Sequence, residues 1–579
     1  MLRNRFYFAN KENVGRFINL WDVLILLLVF AILFFLGWAG KQMASPYHLG
    51  GQPPISLAAA NLPFYAVRTV LRMFIALGIS LIFTLLIGTM AAKSRRAEQV
   101  IIPSIDILQS VPVLSFLSIT VAGFIRLFPG SMLGPECACI FATFTAQVWN
   151  ITFGFYQSLK TVPHDLKEAA AMYQLSAWQR FWKLEVPFSM TSLIWNMMMS
   201  MSASWFFVVL SEAISVAHQE IRLPGVGSYI AVAIEQHNLH AIGNAIVTMI
   251  IVIFLYDQIL FRPLIAWSEK FKFDQSADEE EYESWLVNMV RRSRFIHRIG
   301  NVTSTIRDRF INQNRLGRLS SKSGPKPLEY QPGKNRWIFN AILLLAIITG
   351  TYALLNYILS ELKVSEVMHV FFLGAMTGTR VIILIIISSI IWIPVGVWVG
   401  MRPRVAQRVQ PLIQLAAAFP ANLFYPLFVI AISHYKLNVE IWVTPLMILG
   451  TQWYILFNVI AGAASIPREL ALAMSNFNVS GWQWWKKFAI PGIFPFFITG
   501  AITAAGGAWN ASIVAEWVSW GSTTLKATGL GAYIQESTLA GDFPKIALGT
   551  AMMCAYVLAF NHILWRPLYR LAEKRFNIS

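Results

Sequence analysis

The run WDVLILLLVFAILFFLGWAG, from Trp21 to Gly40, carries one charged residue, Asp22, and then eighteen residues without charge. A segment this long and apolar spans the hydrocarbon of a bilayer as a helix, since only a helix bonds all of its own backbone groups there. Comparable runs recur near 65–92, 103–127, 137–158, 188–217 and 241–261, and a second set lies near 337–357, 368–400, 409–433, 440–464, 491–517 and 544–565. About twelve helical spans follow, giving an all-α polytopic membrane protein. Composition agrees: 56% of the 579 residues are hydrophobic and 13% charged, with 41 Phe and 21 Trp, outside the range of soluble proteins.

The net charge of +17 does not point to nucleic acid, because the basic residues gather at the ends of spans. Arg3, Arg5, Lys11 and Arg16 precede the first run, Lys93, Arg95 and Arg96 follow the second, and Arg402, Arg404 and Arg408 follow the eighth. All fall on one side if both termini are cytoplasmic. Cys137, Cys139 and Cys554 lack metal-ligand spacing and read as structural, so no metal is expected.

The two sets of runs are copies. YDQILFRPLIAWSEKF (256–271) returns as FNHILWRPLYRLAEKR (560–575), an offset of 304 that also carries Pro163 to Pro467, Pro187 to Pro491, Trp205 to Trp509, Glu212 to Glu516 and GVGSYI (225–230) to GLGAYI (529–534). Upstream the offset is 308, taking Arg72 to Arg380, Gly88 to Gly396, Pro103 to Pro411 and Pro112 to Pro420. One register kept over so long a stretch marks an internal repeat. The sequence therefore divides into a first domain at 1–267, a cytoplasmic linker at 268–336 with an acidic run followed by a basic one, and a second domain at 337–579. Each half begins and ends on the same side, so the halves run parallel and suggest a pathway between them.

Between the fourth and fifth runs stands EAAAMYQLSAWQRFWKLEVP (168–187), too polar for lipid. Pro163 suits a first helical turn with Asp165 and Glu168 near the positive helix end, and Ser176-Ala-Trp-Gln179 has capping-box spacing for a second helix. The copy keeps Ser480-Gly-Trp-Gln483 and the closing Pro491. Helix, tight turn, helix, then a proline at the next span is predicted in both halves.

Glu168, Ala169 and Ala170, a turn six residues on, and Leu184-x-Val186-Pro187 resemble the EAA loop of ABC importer permeases. In that family the elbow docks on cytoplasmic ATPase subunits. The turn position, usually Gly there, is Gln174 here and Asn478 in the copy, which predicts that the first elbow turns differently, because Gln adopts left-handed backbone less readily than Asn. The second copy has Leu472 at the Glu position and Met474 at the second Ala, keeps Ala473, and places Glu469 one turn earlier. PSIDILQSVPVLSFL (103–117), PLIQLAAAFPANLFY (411–425) and a glutamate before each Gly-hydrophobic-Gly turn are similar to the nitrate, sulfonate and taurine branch, here with two permease domains in one chain. The resemblance implies a type I importer permease fold in a bacterial inner membrane, two ATPase partners carrying ATP and Mg, a periplasmic or extracellular solute-binding protein, and a small anionic solute such as nitrate, a sulfonate, taurine or bicarbonate.

Polar residues within spans tend to face a cavity or a partner. Pathway or gate candidates are Asp106, Gln109 and Ser110 before Pro112, Gln414 in the copy, the repeat pairs Trp205/Trp509 and Glu212/Glu516, Asn510, and Arg72/Arg380. The arginines could pair with the glutamates or attract an anion. No Gly-x4-Gly-Lys-Ser/Thr, His-Glu-x-x-His or nucleophile elbow occurs, so catalysis is not expected and energy must come from another subunit. An ion-coupled secondary transporter with two six-helix halves explains the repeat equally well but not the two elbows.

Overall fold

A computed structural model of the chain describes residues 55–268 and 336–576, except 111, 217, 218 and 522, with isolated positions 30, 37, 40 and 311. The span at 21–40 and the linker at 268–336 lie, apart from these positions and the linker's two end residues, outside the described residues.

In the first half, α1 (Leu62–Phe83) begins with Pro63, whose missing N–H would have had no helical partner, and runs on through a π turn to Lys93. The segment 103–127 is two helices, α2 (Arg95–Ser110) and α3 (Val113–Leu127), parted at the extended Pro112. Next come α4 (Leu133–Lys160), the elbow helices α5 (His164–Met172) and α6 (Ala177–Arg180), and α7 (Val186–Glu212). A short hairpin, β1 (Ala213–Val216) with β2 (Gln219–Arg222), leads into α8 (Val226–Glu235), α9 (Leu239–Tyr256) and α10 (Arg262–Ser268).

The second half opens with α11 (Arg336–Glu361), α12 (Val364–Gly400) and α13 (Pro403–Ala418). A 3-10 turn (Ala421–Phe424) then leads into α14 (Tyr425–His434). The α15 (Val439–Leu449) and α16 (Gln452–Ala464) pair stands where α4 is unbroken. The second elbow, α17 (Arg468–Asn476) with α18 (Gly481–Trp484), precedes α19 (Ile490–Ala515). The hairpin β3 (Trp517–Trp520) with β4 (Thr523–Lys526), then α20 (Leu530–Ala540), α21 (Phe543–Phe560) and α22 (Arg566–Phe576), complete the copy. From α5 on, most elements begin 304 residues before their counterparts. Even the π turns correspond, Phe181–Glu185 with Trp485–Ala489 and Asp257–Phe261 with Asn561–Trp565.

Seven described helices are long and apolar enough to cross a membrane, and two bent pairs raise the number to nine. The bends have local causes. One, of 72°, falls at Phe419-Pro420, and the other, of 46°, at Gly450-Thr451, after Pro445. Residues 141, 146 and 147 of α4 are Phe, Ala and Gln, which leave that helix unbroken. The spans expected to reach 217 and 517 stop at 212 and 515, because the alternating WVSWGSTTLK and its counterpart form the hairpins instead.

The described residues form two compact units. One comprises Pro163–Thr191 and 258–268, and within it Thr191 Oγ1 donates to the carbonyl of Ser268 at 3.3 Å. The other comprises 55–162, Ser192–Asp257 and 336–576. Its main apolar cluster joins both halves, packing Val113, Leu114, Leu117 and Val121 of α3 with Ala501, Ala505, Ala508 and Trp509 of α19.

Candidate functional site

At the hairpin end of each half a buried glutamate organises its neighbours. Glu212, the last residue of α7, accepts from Arg72 Nη1 at 2.5 Å, Thr69 Oγ1 at 2.7 Å and the Gly227 N–H at 2.7 Å. Arg72 uses its remaining donors on Glu136, through Nε at 2.6 Å and Nη2 at 2.7 Å, and on the Pro224 carbonyl at 3.0 Å. Arg68 adds a second guanidinium contact to Glu136 at 3.0 Å. A buried pair holds when other hydrogen bonds share the load, and here two positive groups face two negative ones, with Thr69, the Gly227 N–H and the Pro224 carbonyl adding bonds.

The second half repeats the plan. Glu516 accepts from Arg380 Nη1 at 2.8 Å, Thr377 Oγ1 at 2.8 Å and the Gly531 N–H at 2.8 Å. Arg380 also bonds Glu440, whose other oxygen accepts from the Thr528 N–H at 2.9 Å and Oγ1 at 2.8 Å. Glu136 and Glu440 were not singled out in the sequence. Their signal was the 304-residue offset itself, which pairs them as the first acidic residues of equivalent helices.

These clusters explain the Gly-hydrophobic-Gly turns. A Cβ on Gly225 or Gly529 would run into the carboxylate of Glu212 or Glu516. One on Gly227 or Gly531 would meet the carbonyl of Val209 or Ser512. The glycines permit close approach; at Gly225 and Gly529 the backbone is extended and sets no demand of its own.

Trp205 and Trp509 are core residues, packed edge-on against Tyr256 at 5.8 Å and Phe560 at 5.9 Å, which are themselves repeat equivalents. Gln109 Nε2 donates to Asn150 Oδ1 at 3.4 Å, and Gln414 is half-buried on α13. Of Asp106 and Ser110 only the helical backbone is described. The candidate that meets a cavity is Asn510. The cavity, about 510 Å³ of space partly open to solvent, lies where α7 and α19 face each other and includes Ser202, Phe206, Tyr425, Thr451, Tyr454 and Asn510 in its walls. No charged side chain lines it among the described residues. Asn510 Oδ1 also accepts from the Val113 N–H of the other half at 2.8 Å.

Both elbows share one backbone turn. Gln174 and Asn478 are left-handed with φ of 51° and 50°, so the first elbow does not turn differently from the second. Each turn sets an exposed aromatic at the tip, Tyr173 (81% exposed) and Phe477 (78%). Glu168 is exposed and 3.1 Å from His164 Nδ1, Ala169 is partly covered, and Ala170 is buried. The first capping box closes, with Ser176 Oγ accepting from the Gln179 N–H at 3.2 Å and Gln179 Oε1 from the Ser176 N–H at 3.1 Å. The second does not: Gly481 adopts φ of 60° and turns the backbone so that Ser480 makes no cap bond. Glu469, Leu472 and Asn478 are exposed, Ala473 is half-buried, and Pro187 and Pro491, each partly covered, lie in the first turns of α7 and α19.

Two regions of the chain, 84–262 and 392–577, match the family of binding-protein-dependent transport system inner membrane components. The chain belongs to that family. It is a multi-pass membrane permease that carries the family's domain twice, and the family's members are transport subunits. The permease is 26% identical over 162 residues to the bicarbonate transport system permease protein CmpB of Synechocystis sp., covering 28% of this chain and 55% of the relative. It is 23% identical over 185 residues to the nitrate import permease protein NrtB of Leptolyngbya laminosa, 32% of this chain and 63% of the relative. With the taurine transport system permease protein TauC of Escherichia coli the identity is 26% over 182 residues, 31% of this chain and 62% of the relative. The permease thus spans less than two thirds of the length of each of these relatives.

Proposed function

We propose that this permease forms the translocation pathway of an ATP-driven importer for a small anion of the nitrate, bicarbonate, sulfonate or taurine class, and that its elbows dock on two cytoplasmic ATPase subunits. The observation carrying this reading is the matched pair of elbows, each with a left-handed residue at the turn and an aromatic side chain exposed beside it. The support lies in the match: Tyr173 and Phe477 are exposed at equivalent places of the repeat, as two docking elbows require. The names of the relatives support the solute class.

On this reading the elbows and both termini face the cytoplasm across a bacterial inner membrane, and a solute-binding protein delivers its cargo at the hairpin end. The two parallel permease domains, 1–267 and 337–579, are tethered by the linker at 268–336. ATP and Mg bind to the partner subunits. ATP-driven closure of those subunits draws the elbows together and rocks the halves, so that the space between α7 and α19 opens to one side at a time.

The test is co-purification and uptake. With its cognate ATPase the chain retains two ATPase copies, and proteoliposomes carrying the complex and its binding protein take up labelled nitrate, bicarbonate or taurine only when ATP is supplied on the elbow side. Uptake by the chain alone along a proton or sodium gradient overturns the proposal in favour of an ion-coupled carrier.

A further inference from the structure

The cavity does not treat the two halves alike. Where α7 and α19 meet, the lining is symmetric in the repeat: Ala203 faces it with Gly507, Phe206 with Asn510, and Phe207 with Ala511, each pair 304 residues apart. Apart from Ser202, the rest of the wall comes from the second half. Ala417, Tyr425, Thr451 and Tyr454 line the cavity, whereas their counterparts Gln109, Leu117, Gln147 and Asn150 do not.

The cause lies in one exchanged pair. On the first-half side Asn510 reaches across and accepts from the Val113 N–H, the first free donor of α3, which draws α3 against α19 in the shared apolar cluster. On the other side the equivalent donor belongs to Ala421 and the equivalent side chain is Phe206, which has no acceptor. On that seam the bend at Gly450-Thr451 brings Thr451, 7% exposed, to the cavity wall, while Gln147 at the same register of the unbroken α4 is fully buried and lies outside that wall.

We infer that the solute passes off the pseudo-twofold axis, along the seam between α7 and the second half's α13–α16, with Asn510 closing the equivalent seam of the first half. The inference rests on the permease reading above and deepens it. Its wall also constrains recognition: the Ser202 hydroxyl donates to the Met198 carbonyl, that of Thr451 to the Met447 carbonyl across the bend, and one N–H of the Asn510 amide to the Gly506 carbonyl. The solute therefore meets aromatic faces and a few neutral polar groups, with no opposite charge among the described residues to hold it.

The experiment uses the full chain in membrane vesicles, with Cys137, Cys139 and Cys554 replaced, and a small sulfonate probe, sulfonatoethyl methanethiosulfonate. Thr451→Cys is modified at least about tenfold faster than Gln147→Cys, since thiol modification follows access. In a Phe206→Asn background the second seam gains an acceptor for the Ala421 N–H and the Thr451→Cys thiol is protected; in an Asn510→Phe background the Gln147→Cys thiol becomes reactive. Equal rates at the two cysteines, or rates indifferent to both exchanges in chains that remain monodisperse, overturn the off-axis route. Labelling needs neither ATPase nor transport, so failure to take up any of the named anions strikes the proposed function and leaves this result standing, and the converse also holds.

Discussion

Glu136 and Glu440 occupy the same place in the repeat, yet the side chain of the first is 1% exposed and that of the second 45%. Glu136 answers two guanidinium groups, whereas among the described residues Glu440 answers the one of Arg380, the counterpart of Arg68 being Met376. Removing one partner of a buried pair leaves an uncompensated charge and costs about 3–5 kcal/mol, and the cost is smaller where the carboxylate is half-exposed and water screens it, as at Glu440. Glu136→Gln should therefore lower the thermal unfolding temperature of the purified permease far more than Glu440→Gln. Equal shifts would show that the two clusters do not differ in this way.

Gly227→Ala should be destabilising by about 1–3 kcal/mol, because its new methyl group meets the Val209 carbonyl, a backbone atom that cannot swing aside. Gly243→Ala, whose added carbon meets nothing within 4 Å, should be neutral or slightly stabilising by helix propensity. Thermal unfolding of the two variants side by side checks the contrast.

Ser176→Ala removes a closed cap and should cost about 1 kcal/mol of local stability, while Ser480→Ala, where no cap bond exists, should change little. Hydrogen exchange of the two elbows, followed peptide by peptide, reads this difference directly.

On the proposed function, Glu168→Lys should weaken ATPase association or uncouple hydrolysis from uptake without altering thermal stability, since the side chain is exposed. Ala170→Trp acts by another route, because Ala170 is buried and a bulky replacement disturbs the elbow itself. Leu472→Glu should be tolerated. Unchanged coupling in Glu168→Lys would make that glutamate dispensable for docking.

Glu98, on α2, is held below the usual carboxylate range: burial alone would raise it, but hydrogen bonds from Tyr156 at 2.5 Å and Lys160 at 2.9 Å, with the lysine charge, outweigh burial. A depressed folded value means stability present above the unfolded value and lost as pH falls through the folded one. The stability gap between wild type and Glu98→Gln should thus be widest near neutral pH and narrow in acid. A gap that widens in acid would reverse the assigned sign.

Periodicity made the spans legible, and the shared offset made the repeat legible, because both are written in residues close together or evenly spaced. The elbow turn was legible in place but not in shape: Gln174 was expected to turn differently from Asn478, and the surrounding helices impose the same φ on both. The glutamates at 212 and 516 stood out, and pairing with Arg72 and Arg380 was one of the two readings open for the arginines; the buried pairs, some 140 residues apart in the chain, decide for it. Trp205 and Trp509 are matched in the repeat because each packs onto an aromatic residue two helices on. The hairpins were absorbed into the spans before them, since an alternating apolar stretch beside a long apolar run reads as its continuation.

The join of both halves in one polypeptide alters what mutation can do. In a permease assembled from two identical subunits, every substitution arrives twice, and a bond such as that from Val113 to Asn510 would come with its mirror image. Here a change falls on one side only, so an asparagine can stand opposite a phenylalanine and an arginine opposite a methionine. Gene fusion thereby turns a symmetric machine into one whose two sides are free to inherit different tasks.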